Sequence, residues 1–148
     1  MKKAVIITVS AIFLIIACFL ASIPIVNNIF AKQVADKLAA MPLPEKTRIA
    51  ERKSIAAKLW GNGNGMDYFG ALLIESELTE EQLEVFYAES GTDCRVEKQC
   101  SQSIEVTDHG SYSFKTEINS DNFYIIYALG GCDSPIKEIY AELDLRGH

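Results

Sequence analysis

An uncharged apolar run of 23 residues, Ala4 to Val26, comes directly after Met1-Lys2-Lys3 and constrains this chain more than any other feature. At about 1.5 Å of rise per residue, a helix of that length crosses the roughly 30 Å hydrocarbon core of a bilayer. Lys2 and Lys3 stand before the run, and no acidic residue occurs until Asp36. That asymmetry favours a cytosolic N-terminus and export of the chain beyond Val26. The expectation is a single-pass protein of the cell membrane with an extracytoplasmic remainder.

The same segment carries a second pattern. Ile15-Ile16-Ala17-Cys18 fits a bacterial lipobox, in which Cys18 would be acylated after cleavage and the chain held on the outer face by lipid. A lipoprotein usually turns polar just after that cysteine. Here Phe19-Leu20-Ala21 and Ile25-Val26 stay apolar, as an uncut anchor would. Lipidation of Cys18 is the alternative tether.

All 20 acidic residues and all but two of the 14 basic ones lie beyond the run, so that part carries a net charge of −8. An acidic globule disfavours nucleic acid and anionic lipid headgroups as partners. Three cysteines, Cys94, Cys100 and Cys132, would face outward, where a disulfide persists. Spacing does not give the pairing: Cys94 with Cys100 closes a short loop around "RVEKQ", whereas Cys132 would tie a later segment to it.

The patterning divides the chain into three parts: a signal-anchor or lipoprotein signal segment over 1–26, an amphipathic stalk and linker over 27–44, and an α+β domain over 45–148. In the stalk, Val26, Phe30, Val34 and Leu38 recur every four residues beyond a potential kink at Pro24, and Pro42 and Pro44 end it. It would pack on the domain or lie along the bilayer. In the domain, "TRIAERKSIAAKLW" and "MDYFGALLIES" read as a strand pair around Gly61-Asn62-Gly63-Asn64-Gly65. Thr79 and Gln82 make a capping box for a helix over Leu78–Gly91, with Leu78 and Leu83 as its staple. "RVEKQ", "SIEVTD", "SYSFKTEI" and "FYIIYALGG" then predict a β-meander. Ser134-Pro135 would start a short helix before an extended end. The expected fold is a small antiparallel sheet with one main helix packed on it.

No catalytic, cofactor-binding or metal-ligating set emerges. The Gly/Asn run lacks both the dinucleotide and the P-loop signatures and serves best as a turn; an anion nest is the sharper alternative. His109 sits in an Asp-His-Gly turn. Paired with a cysteine it would make a small envelope enzyme or thiol redox protein, the rival to a non-enzymatic module that binds a protein or envelope ligand. The glutamates from Glu75 to Glu89 read as a solvated helix face, and Tyr112, Phe114, Phe123, Tyr124 and Tyr127 as core.

The block "KSIAAKLWGNGNGMDYFGALLIESELTEEQLEVFY", together with "LDLRGH" after a tyrosine-rich strand, resembles a group of uncharacterised small membrane-anchored proteins of Gram-positive bacteria. The resemblance covers about two thirds of the chain and rests on the "GNGNGM" turn and the "RGH" ending occurring with this helix. It implies an extracytoplasmic location and brings no activity or site residue with it.

Overall fold

The computed structural model describes residues 2–62, 65–91, 93–131 and 133–148. Its first element is a 38-residue helix, α1 (Lys2–Ala39). At about 1.5 Å per residue it is roughly 57 Å long, nearly twice the hydrocarbon thickness. Pro24 has no N–H for the Leu20 carbonyl, yet the helix is continuous across it. The run up to Ala21 is exposed, and no residue of its most apolar 18-residue window is buried. From there the helix changes character. Ile23, Asn27, Ala31, Ala35 and Leu38, spaced by three or four, form one buried stripe.

That stripe lies on a four-stranded antiparallel sheet of order β1-β2-β6-β3, built from β1 (Thr47–Ala57), β2 (Asp67–Ser76), β3 (Arg95–Lys98) and β6 (Phe123–Gly130). β2 and β6 read as nearly unbroken apolar runs because they sit centrally and are covered on both faces. Toward α1 point Tyr68, Gly70, Leu72 and Ile74; toward the other face point Phe69, Ala71 and Leu73. A bulge between Ile49 and Glu51 shifts the β1 register against β2.

Gly70 decides how close the helix comes. A Cβ built there would lie 2.4 Å from the Ala35 nitrogen and 2.7 Å from the Val34 carbonyl carbon. Backbone therefore rests on backbone, and only alanines fit along the helix at that level: Ala31 and Ala35 are fully buried. Residues 27–39, which the sequence suggests as a stalk, form a layer of the folded unit.

The helix α2 (Glu80–Glu89) shares this face. The Thr79 hydroxyl accepts from the Gln82 N–H and the Gln82 side chain accepts from the Thr79 N–H, completing the capping box. Leu83 and Tyr87 pack with Leu38, Leu72, Ile74 and Ile126, and Leu78 lies against the same cluster. The architecture is α+β, an antiparallel sheet with α1 and α2 on one side.

The meander is not what forms. β6 pairs with β2 and β3, while the intervening residues leave the sheet and cover its second face through Ile104 and Phe114. "SIEVTD" and "SYSFKTEI" contribute only the short ladder of β4 (Ser103–Ile104) with β5 (Tyr112–Ser113). Their remaining backbone groups are claimed elsewhere. The Glu51 carboxylate accepts from the Lys115 and Thr116 amides at 2.7 and 2.8 Å, and the Leu59 carbonyl accepts from those of Asp108 and His109. Nor is the last segment extended: α3 (Pro135–Glu142), capped by Ser134, leads into a 3-10 turn at Leu145–Gly147.

Replacing Gly70 by alanine should force α1 off the sheet. We expect a loss of about 1–3 kcal/mol, the usual cost of overpacking, read as a fall in thermal unfolding temperature of the detergent-solubilised chain. Gly131→Ala, with nothing within 4 Å of the added carbon, is the control and should change little. Equal behaviour of the two variants would mean that the close approach is not formed.

Candidate functional site

Among the described residues, the thiols do not assemble a reaction centre with His109. Cys18, Cys94 and Cys100 are free, and Cys132 lies outside the described residues. β3 runs between Cys94 and Cys100, and four extended residues at about 3.3 Å each hold them beyond bridging distance. Cys94 is half-buried between α2 and β3. Burial pushes its thiol pKa up, and the Asp93 carboxylate adds to the effect. The adjoining Tyr87 hydroxyl is pushed up to about 12 by burial, with a contribution from Cys94.

His109 is occupied elsewhere. Its Nε2 lies 2.7 Å from the Gly61 carbonyl oxygen, to which the protonated nitrogen donates, and its amide reaches Leu59. It does not line either of the two cavities that Cys94 lines, of about 240 and 400 Å³. Among the described residues no three His, Cys, Asp or Glu side chains are grouped to hold a metal. Of the Gly/Asn run, Gly61 takes φ 68°, the left-handed geometry a turn needs, and the Gly65 amide donates to the Gly147 carbonyl at 2.8 Å. Gly63 and Asn64, central to the anion-nest alternative, lie outside the described residues.

The densest polar constellation is one that sequence reasoning missed. Asn27 and Asp144, 117 positions apart, are both buried. Asn27 Nδ2 donates to the Asp144 Oδ2 at 2.8 Å and to the Tyr140 carbonyl at 2.9 Å, and its Oδ1 accepts from the Tyr68 hydroxyl at 2.7 Å. Arg146 grips Asp144 with two nitrogens, Nε to Oδ1 at 3.0 Å and Nη2 to Oδ2 at 2.7 Å. The guanidinium also donates to Asn28 Oδ1 and to the Pro24 carbonyl, at 2.9 and 3.2 Å. Residues 140–146 are thereby locked to α1 just past its exposed apolar segment. A polar Asn-Asn pair closing an apolar run was the available signal, but its partner was not readable.

The bidentate bond from Arg146, and after it the bond from Asn27, lowers the Asp144 pKa to about 2 despite its burial. Arg146 is raised in turn by Asp144.

Next to this knot a groove of about 620 Å³ runs along residues 53–58 at the outer edge of β1, walled by Asn28, Tyr112 and Arg146. Among the described residues no strand pairs with that edge. The Lys58 amide donates to the Arg146 carbonyl at 3.2 Å, which closes one end. Arg48 and Arg52 on the same strand are paired with Glu75 and Asp36. Lys53 donates to the Ser113 carbonyl, and neither it nor Lys58 forms a salt bridge among the described residues.

The buried carboxylate makes acid stability a test. A carboxylate held below its unfolded pKa stabilises the fold above that value, near 3.8, and the contribution is lost as pH falls through the folded value of about 2. Asp144 should therefore account for a loss of roughly 2 kcal/mol between about pH 4 and pH 2, and Asp144→Asn should reduce the acid slope by that share while costing about 2–3 kcal/mol at neutral pH. Thermal unfolding across pH measures both, and an unaltered acid slope in the variant would remove Asp144 from this role. Separately, Cys94 should alkylate with iodoacetamide near neutral pH more slowly than free cysteine. A fast Cys94 that slows on His109→Ala would restore the thiol–imidazole reading. Compared with known proteins, the chain matches no family model, no curated protein and no solved structure.

Proposed function

We propose that this chain is a single-pass membrane protein with its N-terminus in the cytosol, whose domain is a non-enzymatic extracytoplasmic interaction module. The exposed apolar half of α1 and the two lysines before it support the topology. The resemblance to small membrane-anchored proteins points the same way, and a lipid on Cys18 would leave the domain on the same side.

One observation carries the binding reading: the uncovered edge of β1 faces a groove beside α1. A sheet edge offers backbone donors and acceptors in register for one more strand. Lys53 and Lys58, neither in a salt bridge among the described residues, flank it. Such charges keep identical edges apart and, by the same repulsion, select an oppositely charged partner. The ligand is then an extended acidic segment of another envelope protein, laid along 53–58.

Protease added to intact protoplasts should degrade the region after Pro44, and protection until lysis would reverse the topology. For binding, a photocrosslinking residue at Ser54 in intact cells should form a protein adduct whose linked peptide is acidic. Lys53→Glu with Lys58→Glu should reduce that adduct at least about tenfold, the equivalent of roughly 1.4 kcal/mol. An adduct indifferent to both charge reversals would refute strand capture at this edge.

A further inference from the structure

We propose that α3 and the turn after it form a membrane-seating surface that dips into the outer leaflet beside α1. On α3, Lys137 and Ala141 face the domain: Ala141 is buried, and the Lys137 ammonium lies 5.5 Å from the Phe30 ring centroid and bonds to Asp133. Glu138 and Glu142 point away. The remaining face gathers Ile136, Ile139, Tyr140 and Leu143, the i, i+3, i+4, i+7 positions of one stripe. Ile136, Ile139 and Leu143 are 63, 51 and 46% exposed, and Leu145 in the adjoining turn is 87% exposed. Four large aliphatic side chains held in water within so short a segment would be costly for a soluble surface.

The occupant is fixed by what adjoins the stripe. Tyr140 packs in a tilted ring contact against Phe19 of α1, with centroids 5.8 Å apart, and Phe19 belongs to the exposed apolar run. The stripe thus continues the surface that a bilayer would cover, and the inference rests on the reading that α1 spans that bilayer. The knot of Asn27, Asp144 and Arg146 holds α3 at this height. Tyrosine suits the headgroup boundary, where one end of the ring is apolar and the other wet. An amphipathic helix with acidic residues only on its far side lies in the interface plane, its apolar side a few ångströms deep. The domain therefore sits down on the membrane at a fixed tilt, with α1 and α3 as its two points of contact.

The test uses the full chain in nanodiscs of phosphatidylcholine and phosphatidylglycerol that contain a phospholipid with a diazirine high on its acyl chain. Adducts should map to residues 136–145 as well as to α1. Ile139→Ser with Leu143→Ser should lower those on 136–145 several-fold and leave α1 labelled. Adducts confined to α1, or a 136–145 signal unmoved by the two serines, would overturn the seating. Absence of label on α1 itself would instead bring down the spanning reading on which the seating stands.

Discussion

Everything in this molecule hangs on the direct contact between α1 and the middle of the sheet. A helix normally rides above a sheet on a cushion of side chains, and at Gly70 the cushion is missing. Gly70 on β2 admits the backbone of Val34 and Ala35, and the small side chains of Ala31 and Ala35 let the helix lie down along its length. Dispersion contacts fall off steeply with distance, so this arrangement allows one register only. Once it is set, Leu38 reaches the cluster shared with α2, and Asn27 reaches Tyr68.

The second fixed point is polar. Burying Asn27 and Asp144 would be unfavourable if any of their groups were left without partners. The Tyr68 hydroxyl, the Tyr140 carbonyl and the Arg146 guanidinium provide those partners. The apolar contact sets height above the sheet, and the polar one ties the 140–146 segment to the same helix. Together they make the long apolar helix and the domain one body. A jointed stalk would let the domain sample many orientations; a shared core gives it one.

That rigidity is what gives the surface features meaning. The open edge of β1 and the apolar stripe of α3 both adjoin α1 near its emergence from the exposed apolar run. On the proposed topology, that groove would be held at a constant height and angle above a bilayer. The described thiols, by contrast, are scattered: Cys94 is half-buried with a raised pKa, and His109 is bound to the Gly61 carbonyl.

Local chemistry was legible in the sequence, because it acts between neighbours. The length and apolarity of α1, the Thr79–Gln82 cap of α2, the Ser134-Pro135 start of α3 and the buried character of β2 and β6 are all properties of short windows. The α+β class came from them. Strand order did not, since "SIEVTD" and "SYSFKTEI" alternate as well as many true strands do, and lost their ladders to Glu51 and Leu59, dozens of residues away. The docking of residues 27–39 on the sheet, one of two placements the sequence left open, the pairing of Asn27 with Asp144 and the edge position of β1 were decided only in three dimensions. Each depends on groups far apart in sequence, whose attraction exists only once the sheet has brought them within hydrogen-bonding or van der Waals range.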